Sequence, residues 1–443
     1  MYRLQIFYRG VHPPENKNTK DYPTQRLDSF KKVYIPMSMH IGSACDCLVQ
    51  VGDEVLVGQK IGDSQAFMSV PIHSSVSGKV ISIKKAVAST GSAVEVVEIE
   101  SDGLYRRHES VVPSVITDKE SFIRAIRESG LVGLGGASFP THVKINPPKG
   151  KEPDILVINA AECEPYITSD FRQCIEHPEE IIEGITEVMK WLSIPTSVIG
   201  IEDNKMSAVK LLQFHINKKQ KQNAISIKVL KTMYPQGAEK PLIYHTTGRK
   251  VPTGGLPHDV KVLVLNVSTA RFISKYLHTG MPLVRKRLTM DGGALVLPCN
   301  VNVPVGALIS DIIEQIGGVK EEPAKIIMGG SMMGIAMDRI DLGIIKANNA
   351  ILVLNAKEAS IPLETQCIRC SRCVDACPMD LLPTSIDVMA RNKDLDGLKR
   401  TNAMDCIECG CCTYVCPAKR YLVQSIRDGK SQLRSATKKT GVK

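Results

Sequence analysis

Three things are scarce in this sequence. Its first twenty residues, MYRLQIFYRGVHPPENKNTK, hold no continuous apolar run and so predict no secretory signal. The longest uncharged apolar stretch, Gly292 to Ser310, is broken by Pro298, Asn300, Asn302 and Pro304. That punctuation predicts short strands rather than a membrane span. Outside two short runs, cysteine occurs only at Cys45, Cys47, Cys163, Cys174 and Cys299. Such scatter is no disulfide framework, and the expected setting is a reducing, cytosolic one. There is one tryptophan in 443 residues, and no nucleic-acid-binding motif accompanies the net charge of +10. A nucleic-acid partner is therefore not expected.

What is abundant is cysteine near the end. "CIRCSRCVDACP" supplies Cys367, Cys370, Cys373 and Cys377, and "CIECGCCTYVCP" supplies Cys406, Cys409, Cys412 and Cys416, with Cys411 as an extra. Both spell C-x2-C-x2-C-x3-C-P, the run of proteins that carry two iron–sulfur clusters. Zinc uses C-x2-C pairs and leaves the third x2 spacing and the x3-C-P unexplained. From Pro417 to Lys443, eight basic residues accompany one acidic residue. This end reads as a solvated, frayed tail, with docking to an acidic partner or to anionic lipid as the sharper alternative.

Residues 1–30 are polar and Pro-rich and read as an extended lead-in. The segment "LVQVGDEVLVGQKIGDSQAFMSVPIHSSVSGKVISI" alternates short β-branched runs with Gly-containing turns. It resembles the small barrel of biotinyl and lipoyl carriers, but its hairpin, "PIHSSVSG", offers no lysine for attachment. From about residue 118 the period becomes helical in "DKESFIRAIRESG". The runs "DILVINA", "TSVIGIE", "AISIKVLK" and "VKVLVLNV" then alternate with helices, which implies a parallel α/β sheet. Short strands around "ISDIIEQIGG" suggest a β-grasp unit near 285–355, and the cysteine region is helical.

The loop "GLVGLGGASFPTHVK" follows a helix and lacks G-x-G-x-x-G, so it is no dinucleotide fingerprint. The strand after it, "DILVINAAECEPY", carries Asn159, Glu162 and Glu164 at its carboxyl end, where open α/β sheets bind ligands. Free N–H groups in a glycine loop suit a phosphate.

Through these motifs the chain resembles a family. "GLVGLGGASFPT" with "NAAECEP" is similar to the flavin loop of the NADH- and FMN-binding subunit of respiratory complex I. A closer resemblance is to the C subunits of Rnf complexes, the ion-translocating ferredoxin:NAD+ oxidoreductases. It adds "GVHPPENK", "PIHSSVSGKV", "YPQGAEKPLIY", "VPTGGLP", "VPVGALISDII", "MGGSMMG" and both cysteine runs, in order along nearly the whole chain. A more distant resemblance is to the soluble cobalamin reductase of microcompartments. A ferredoxin-like carrier without nucleotide chemistry is the third alternative.

The resemblance implies a multidomain α/β protein: an extended segment at 1–30, a barrel-sandwich hybrid domain at 31–115 and a Rossmann-like FMN- and NADH-binding α/β domain at 116–284. An SLBB-like β-grasp domain at 285–357, a ferredoxin-like domain with two [4Fe-4S] clusters at 358–428 and a basic tail at 429–443 complete it. It further implies that Gly133, Gly135, Gly136, Ala137, Phe139 and Lys144 cradle a non-covalent FMN. Asn159 and Glu162 face its ring, Glu164 lies near the nicotinamide, Glu239 lies on the nucleotide side, and Asn266 and Thr269 complete the pocket. Glu162 and Glu164 are the implied catalytic carboxylates. In the bacterial ferredoxin pattern the fourth cysteine of each run ligates the other cluster, giving Cys367, Cys370, Cys373 and Cys416, and Cys406, Cys409, Cys412 and Cys377. Flavin converts the two-electron chemistry of NAD(H) to one-electron steps. The implied partners are the other membrane-bound Rnf subunits, ferredoxin through the complex, and NADH, with the chain peripheral on the cytoplasmic face of the membrane. Ser138 stands where the family usually has Gly, and Ala161 and Cys163 replace the Asp and Gly of the complex I subunit.

Overall fold

The computed structural model describes residues 9–87 and 93–439. Lys32–Pro36 (β1), Gly78–Val87 (β2) and Ala93–Ser101 (β3) pair antiparallel in the order β1-β3-β2. Period-2 alternation turns Val33, Ile35, Val80, Val97 and Ile99 inward. A second small sheet, Asp46–Cys47, Lys60–Asp63 and Ile72–His73, contributes Ile61 and Ile72 to the same core. This is the barrel-sandwich shell. Ser74, Ser75 and Ser77, in the hairpin that a carrier domain exposes, are buried, and the Ser75 hydroxyl donates to Val305 O at 2.5 Å. The hairpin is an internal joint.

Asp118 caps the next helix, Lys119–Glu128 (α1), accepting from Ser121 N at 2.7 Å. Four parallel strands follow: Ile155–Ala160 (β4), Thr196–Glu202 (β5), Ile225–Leu230 (β6) and Val262–Asn266 (β7), in the order β6-β5-β4-β7. Between and after them come Ser169–Glu176 (α2), Pro178–Trp191 (α3), Met206–Lys218 (α4), Glu239–Thr247 (α5) and Val267–Thr279 (α6). Strands buried on both faces read as continuous Ile/Val/Leu runs, as β4, β5 and β7 do, whereas the edge strand β6 is half exposed. Helices α3 and α6 touch at Gly184, where a Cβ would run into Ala270 O.

Arg285–Asp291 (β8), Cys299–Pro304 (β9), Ile309–Gln315 (α7), Lys325–Met328 (β10), Ile335–Met337 (β11) and Ala350–Leu354 (β12) form the β-grasp unit, with sheet order β9-β8-β12-β10-β11. The uncharged stretch near residue 300 is thus strand β9. Among the described residues no helix is long and apolar enough to cross a membrane. The cysteine region folds as Arg372–Asp375 (α8), Pro383–Arg391 (α9), Leu395–Arg400 (α10), Cys411–Tyr414 (α11) and Leu422–Lys439 (α12) around Ile386, Leu398, Leu422 and Ile426.

The described part of the lead-in, residues 9–30, is held to the fold: Val11 bridges Tyr234, and Gln25–Arg26 adds a parallel strand to β9. The basic end differs from its sequence reading. The basic end is not a frayed tail through Lys439, because Leu422, Val423, Ile426 and Leu433 dock α12 on the cluster domain. Arg420 pairs with Asp387 at 2.6 Å, and Arg427 and Lys430 pair with Glu408 at 3.0 and 2.5 Å. Three of its eight basic side chains are therefore paired within the fold.

Candidate flavin and iron–sulfur sites

The glycine loop is pinned at both ends and open in the middle. Gly133 N donates to Phe139 O at 2.9 Å, and Leu134 N donates to the Thr269 hydroxyl at 3.1 Å. The buried Lys286 of β8 donates to Leu134 O at 3.1 Å, and burial pulls its ammonium down to about 8. Between these pins Gly135, Gly136 and Ala137 are exposed, and the N–H groups of residues 135–138 have no protein acceptor among the described residues. Gly136 has φ +111° with open space where a Cβ would point. Ser138 adopts φ +51°, and its buried hydroxyl has no partner. An exposed cradle of unclaimed donors fits a phosphate-bearing group such as FMN.

The other implied flavin residues converge on this loop. Asn159 and Asn266 are register partners at the carboxyl ends of β4 and β7. A Cβ on Gly135 would stand 3.2 Å from the Asn266 amide. That amide donates to Asp170 at 2.7 Å, while the Asn159 amide donates to Gly237 O at 2.8 Å. Lys144 and Glu239, the latter at the start of α5, form an ion pair at 2.6 Å. Contacts thus link the loop to the strand ends, and the strand ends to the turn before α5.

The two carboxylates lie at its far edge and are already engaged. Glu162 turns the chain at φ +48°, and its carboxylate accepts from Asp170 N and Phe171 N at 2.6 and 3.0 Å, which ties the first turn of α2. Burial raises its carboxyl above the usual range, against the opposing pull of the Lys17 ammonium. Glu164 accepts from Met332 N and Met333 N, both at 3.1 Å, and burial pushes it up to about 7. Two residues that sequence reasoning left without a role organise this edge. The Lys17 ammonium donates to the carbonyls of Glu162, Glu164 and Ile167 at 2.8, 2.8 and 2.6 Å. The Tyr234 hydroxyl donates to Cys409 O at 2.8 Å and lies 3.4 Å from Glu164. Their only sequence signal was membership of the motifs "PPENK" and "YPQG".

The cysteine runs fold as duplicates. Arg369 and Glu408 both have positive φ, and their N–H groups donate to the Sγ of Cys367 and Cys406 at 3.4 and 3.3 Å. Ser371 and Gly410, again at positive φ, start α8 and α11. One pocket, of about 530 Å³, is lined by Cys367, Cys370, Cys373 and Cys416. A second, of about 20 Å³, is lined by Cys377, Cys406, Cys409 and Cys412, with Cys411 beside them. The fourth cysteine of each run therefore lies in the other run's pocket. Among the described residues no three His, Cys, Asp or Glu side chains are grouped to hold a single metal ion. Four soft donors around each of two pockets fit iron–sulfur clusters.

A glycine cradle at the carboxyl edge of a parallel sheet, joined to two thiol-lined pockets, defines a flavin and iron–sulfur electron-transfer protein. Family models agree: the RnfC barrel sandwich hybrid domain matches residues 5–104, the Nuo51 FMN-binding domain 126–275, the SLBB domain 288–336 and the 4Fe-4S dicluster domain 361–428. The chain is 41% identical over 431 residues to the C subunit of the Na(+)-translocating ferredoxin:NAD(+) oxidoreductase complex of Acetobacterium woodii, covering 96% of this chain and 97% of that one. It is also 41% identical over 440 residues to the C subunit of the proton-translocating ferredoxin:NAD(+) oxidoreductase complex of Clostridium ljungdahlii, covering 98% and 95%. A solved NAD+-reducing [NiFe]-hydrogenase chain shares the fold at TM-score 0.50 and 15% identity, over 72% of this chain and 63% of that one. The chain belongs to the family of Rnf complex C subunits. It is an electron-transfer subunit of a ferredoxin:NAD+ oxidoreductase complex, working with FMN, two [4Fe-4S] clusters and NAD(H).

Proposed function

We propose that the unclaimed N–H groups of residues 135–138 bind the FMN phosphate, with Gly133, Phe139, Lys144, Asn159, Glu239, Asn266 and Thr269 shaping the rest of the site. Bound FMN supplies the exchange between two-electron and one-electron chemistry. Asn159 and Asn266 orient the ring from adjacent strand ends. Glu162 holds the strand end rigid through α2, and Glu164 closes the nicotinamide side against the Met332–Met333 turn. One cluster is held by Cys367, Cys370, Cys373 and Cys416, the other by Cys377, Cys406, Cys409 and Cys412. The observation that carries this reading is the partition of the eight thiols between two pockets, with Cys377 and Cys416 exchanged.

The subunit sits peripherally on the cytoplasmic face of the membrane, held by the other Rnf subunits, through which it exchanges electrons with ferredoxin. The two relatives carry the names of different ions at the same identity to this chain, which supports assigning ion choice to other subunits. The test is anaerobic purification with iron, sulfide and flavin assays. About eight iron, eight sulfide and one acid-released FMN are expected, with Cys373→Ser costing one cluster and Cys411→Ser little. Iron near four, or equal loss from Cys411→Ser, overturns the ligand sets.

A further inference from the structure

The two thiol pockets differ in what surrounds them. The pocket of Cys377, Cys406, Cys409 and Cys412 lies against the flavin domain and the Met332–Met333 turn of the β-grasp unit. Tyr234 donates to Cys409 O there, Gly254 N donates to the Asp405 carboxylate at 3.1 Å, and a Cβ on Gly410 would stand 3.2 Å from Met332 O. The pocket of Cys367, Cys370, Cys373 and Cys416 is wider and opens outward, and Cys367 and Cys370 are exposed.

Its rim is apolar where a free surface should be polar. Ile361 is 62%, Ile368 68% and Leu363 88% exposed, and Leu382 and Val388 are exposed as well. Ile368 and Val388 line the pocket itself. A cluster of large exposed apolar side chains marks an interaction site. Arg369 and Arg372 lie in the same segment, both exposed, and neither guanidinium has an acidic partner among the described residues. The rim therefore asks for an apolar surface that also brings carboxylates.

We propose that this rim is the docking surface for a redox subunit of the complex that carries a one-electron centre behind an apolar, acid-fringed face. The proposal rests on the cluster ligand sets above. The chain then has an inner pocket toward the flavin and an outer one toward the partner. One electron crosses the interface at a time: one centre is oxidised and the other reduced by one electron, with no bond made and no proton moved. Two such crossings match the two electrons that NAD+ takes up with one proton. Covering Cys367 and Cys370 also shields the outer thiolates from water and oxidants.

The test is the double variant Ile361→Glu/Leu363→Glu, two exposed residues that line neither pocket, with Phe214→Glu on the exposed side of α4 as control. Each subunit is mixed with the complex lacking this chain, and association is measured on vesicles in anaerobic buffer. The double variant is expected to keep wild-type iron, sulfide and flavin and NADH-driven bleaching of its visible spectrum. It should associate at least tenfold more weakly, while Phe214→Glu associates as wild type. Association of the double variant at wild-type strength overturns the docking surface. If the double variant loses iron, a photo-crosslinker at position 363 decides: capture of a redox subunit supports the surface, and capture of none overturns it. Too little iron in the wild-type protein would instead overturn the ligand sets, a result visible before any association is measured.

Discussion

Replacing Lys17 by Met is the sharpest probe of how the flavin edge is held. Its ammonium donates to three carbonyls, those of Glu162, Glu164 and Ile167, at 2.6–2.8 Å. A methionine of similar length fills the space and leaves all three without that donor. A part-buried carbonyl stripped of its partner costs up to roughly 1 kcal/mol, so three cost up to about 3 kcal/mol. Relief of the ammonium's own burial, which lowers its pKa, offsets part of this. The remainder is still a large fraction of a domain's stability of about 5–15 kcal/mol. Removing the cation also removes the attraction that lowers Glu162, so that carboxyl rises further. Because several domains unfold in one chain, the readout must be local. Flavin fluorescence through an anaerobic urea titration reports the flavin domain, with the exposed Lys20→Met as reference. The expected result is an earlier loss of bound flavin, equivalent to about 2–3 kcal/mol, with iron content unchanged at zero denaturant. A Lys17→Met midpoint within about 0.5 kcal/mol of Lys20→Met, the scale of ordinary surface substitutions, refutes the argument.

Gly135→Val adds branches where even a Cβ stands 3.2 Å from the Asn266 amide; acid-released flavin should fall at least tenfold, by roughly 1.4 kcal/mol or more, while the visible spectrum keeps its cluster bands. Tyr234→Phe removes the donor to Cys409 O, and the second cluster should lose iron faster to a chelator, consistent with about 1–2 kcal/mol less stability around that pocket; equal rates would deny the hydroxyl any part. Lys346 is buried, donates to Pro71 O and Gly130 O at 2.9 and 2.7 Å, and is held at about 7 by burial. Above that value the unfolded chain binds a proton that the folded chain lacks. Stability should therefore rise between about pH 7 and 10 with a contribution approaching roughly 1.4 kcal/mol per unit. Lys346→Met should flatten that rise in urea midpoints taken at several pH values, and an unchanged slope would assign it to other groups.

The α/β sheet was legible because three of its four strands are buried on both faces, and continuous runs such as "DILVINA" have few other readings. The cysteine spacing was legible because a cluster constrains ligands locally. What escaped reading is long-range. Lys17 finds its acceptors about 150 residues away, and Tyr234 meets Cys409 from a similar distance in sequence. Glu162 and Glu164 sit at a strand end, where ligands bind. Their carboxylates answer N–H groups of α2 and of the Met332–Met333 turn, which no local pattern announces. In α12 the apolar residues at 422, 426 and 433 were outweighed by the count of basic residues, although their spacing was helical.

The pairing of Gln25 with Val301 has a consequence for synthesis. A growing chain emerges from the ribosome at about 5–20 residues per second, so the early segment waits roughly a quarter of a minute to a minute for its partner strand. During that wait its polar, proline-punctuated composition keeps it from pairing with other chains. Residues 25 and 26 are made early and take their place late. A nascent chain halted before residue 300 should therefore leave residues 25–30 open to protease, and one carried past the β-grasp unit should not.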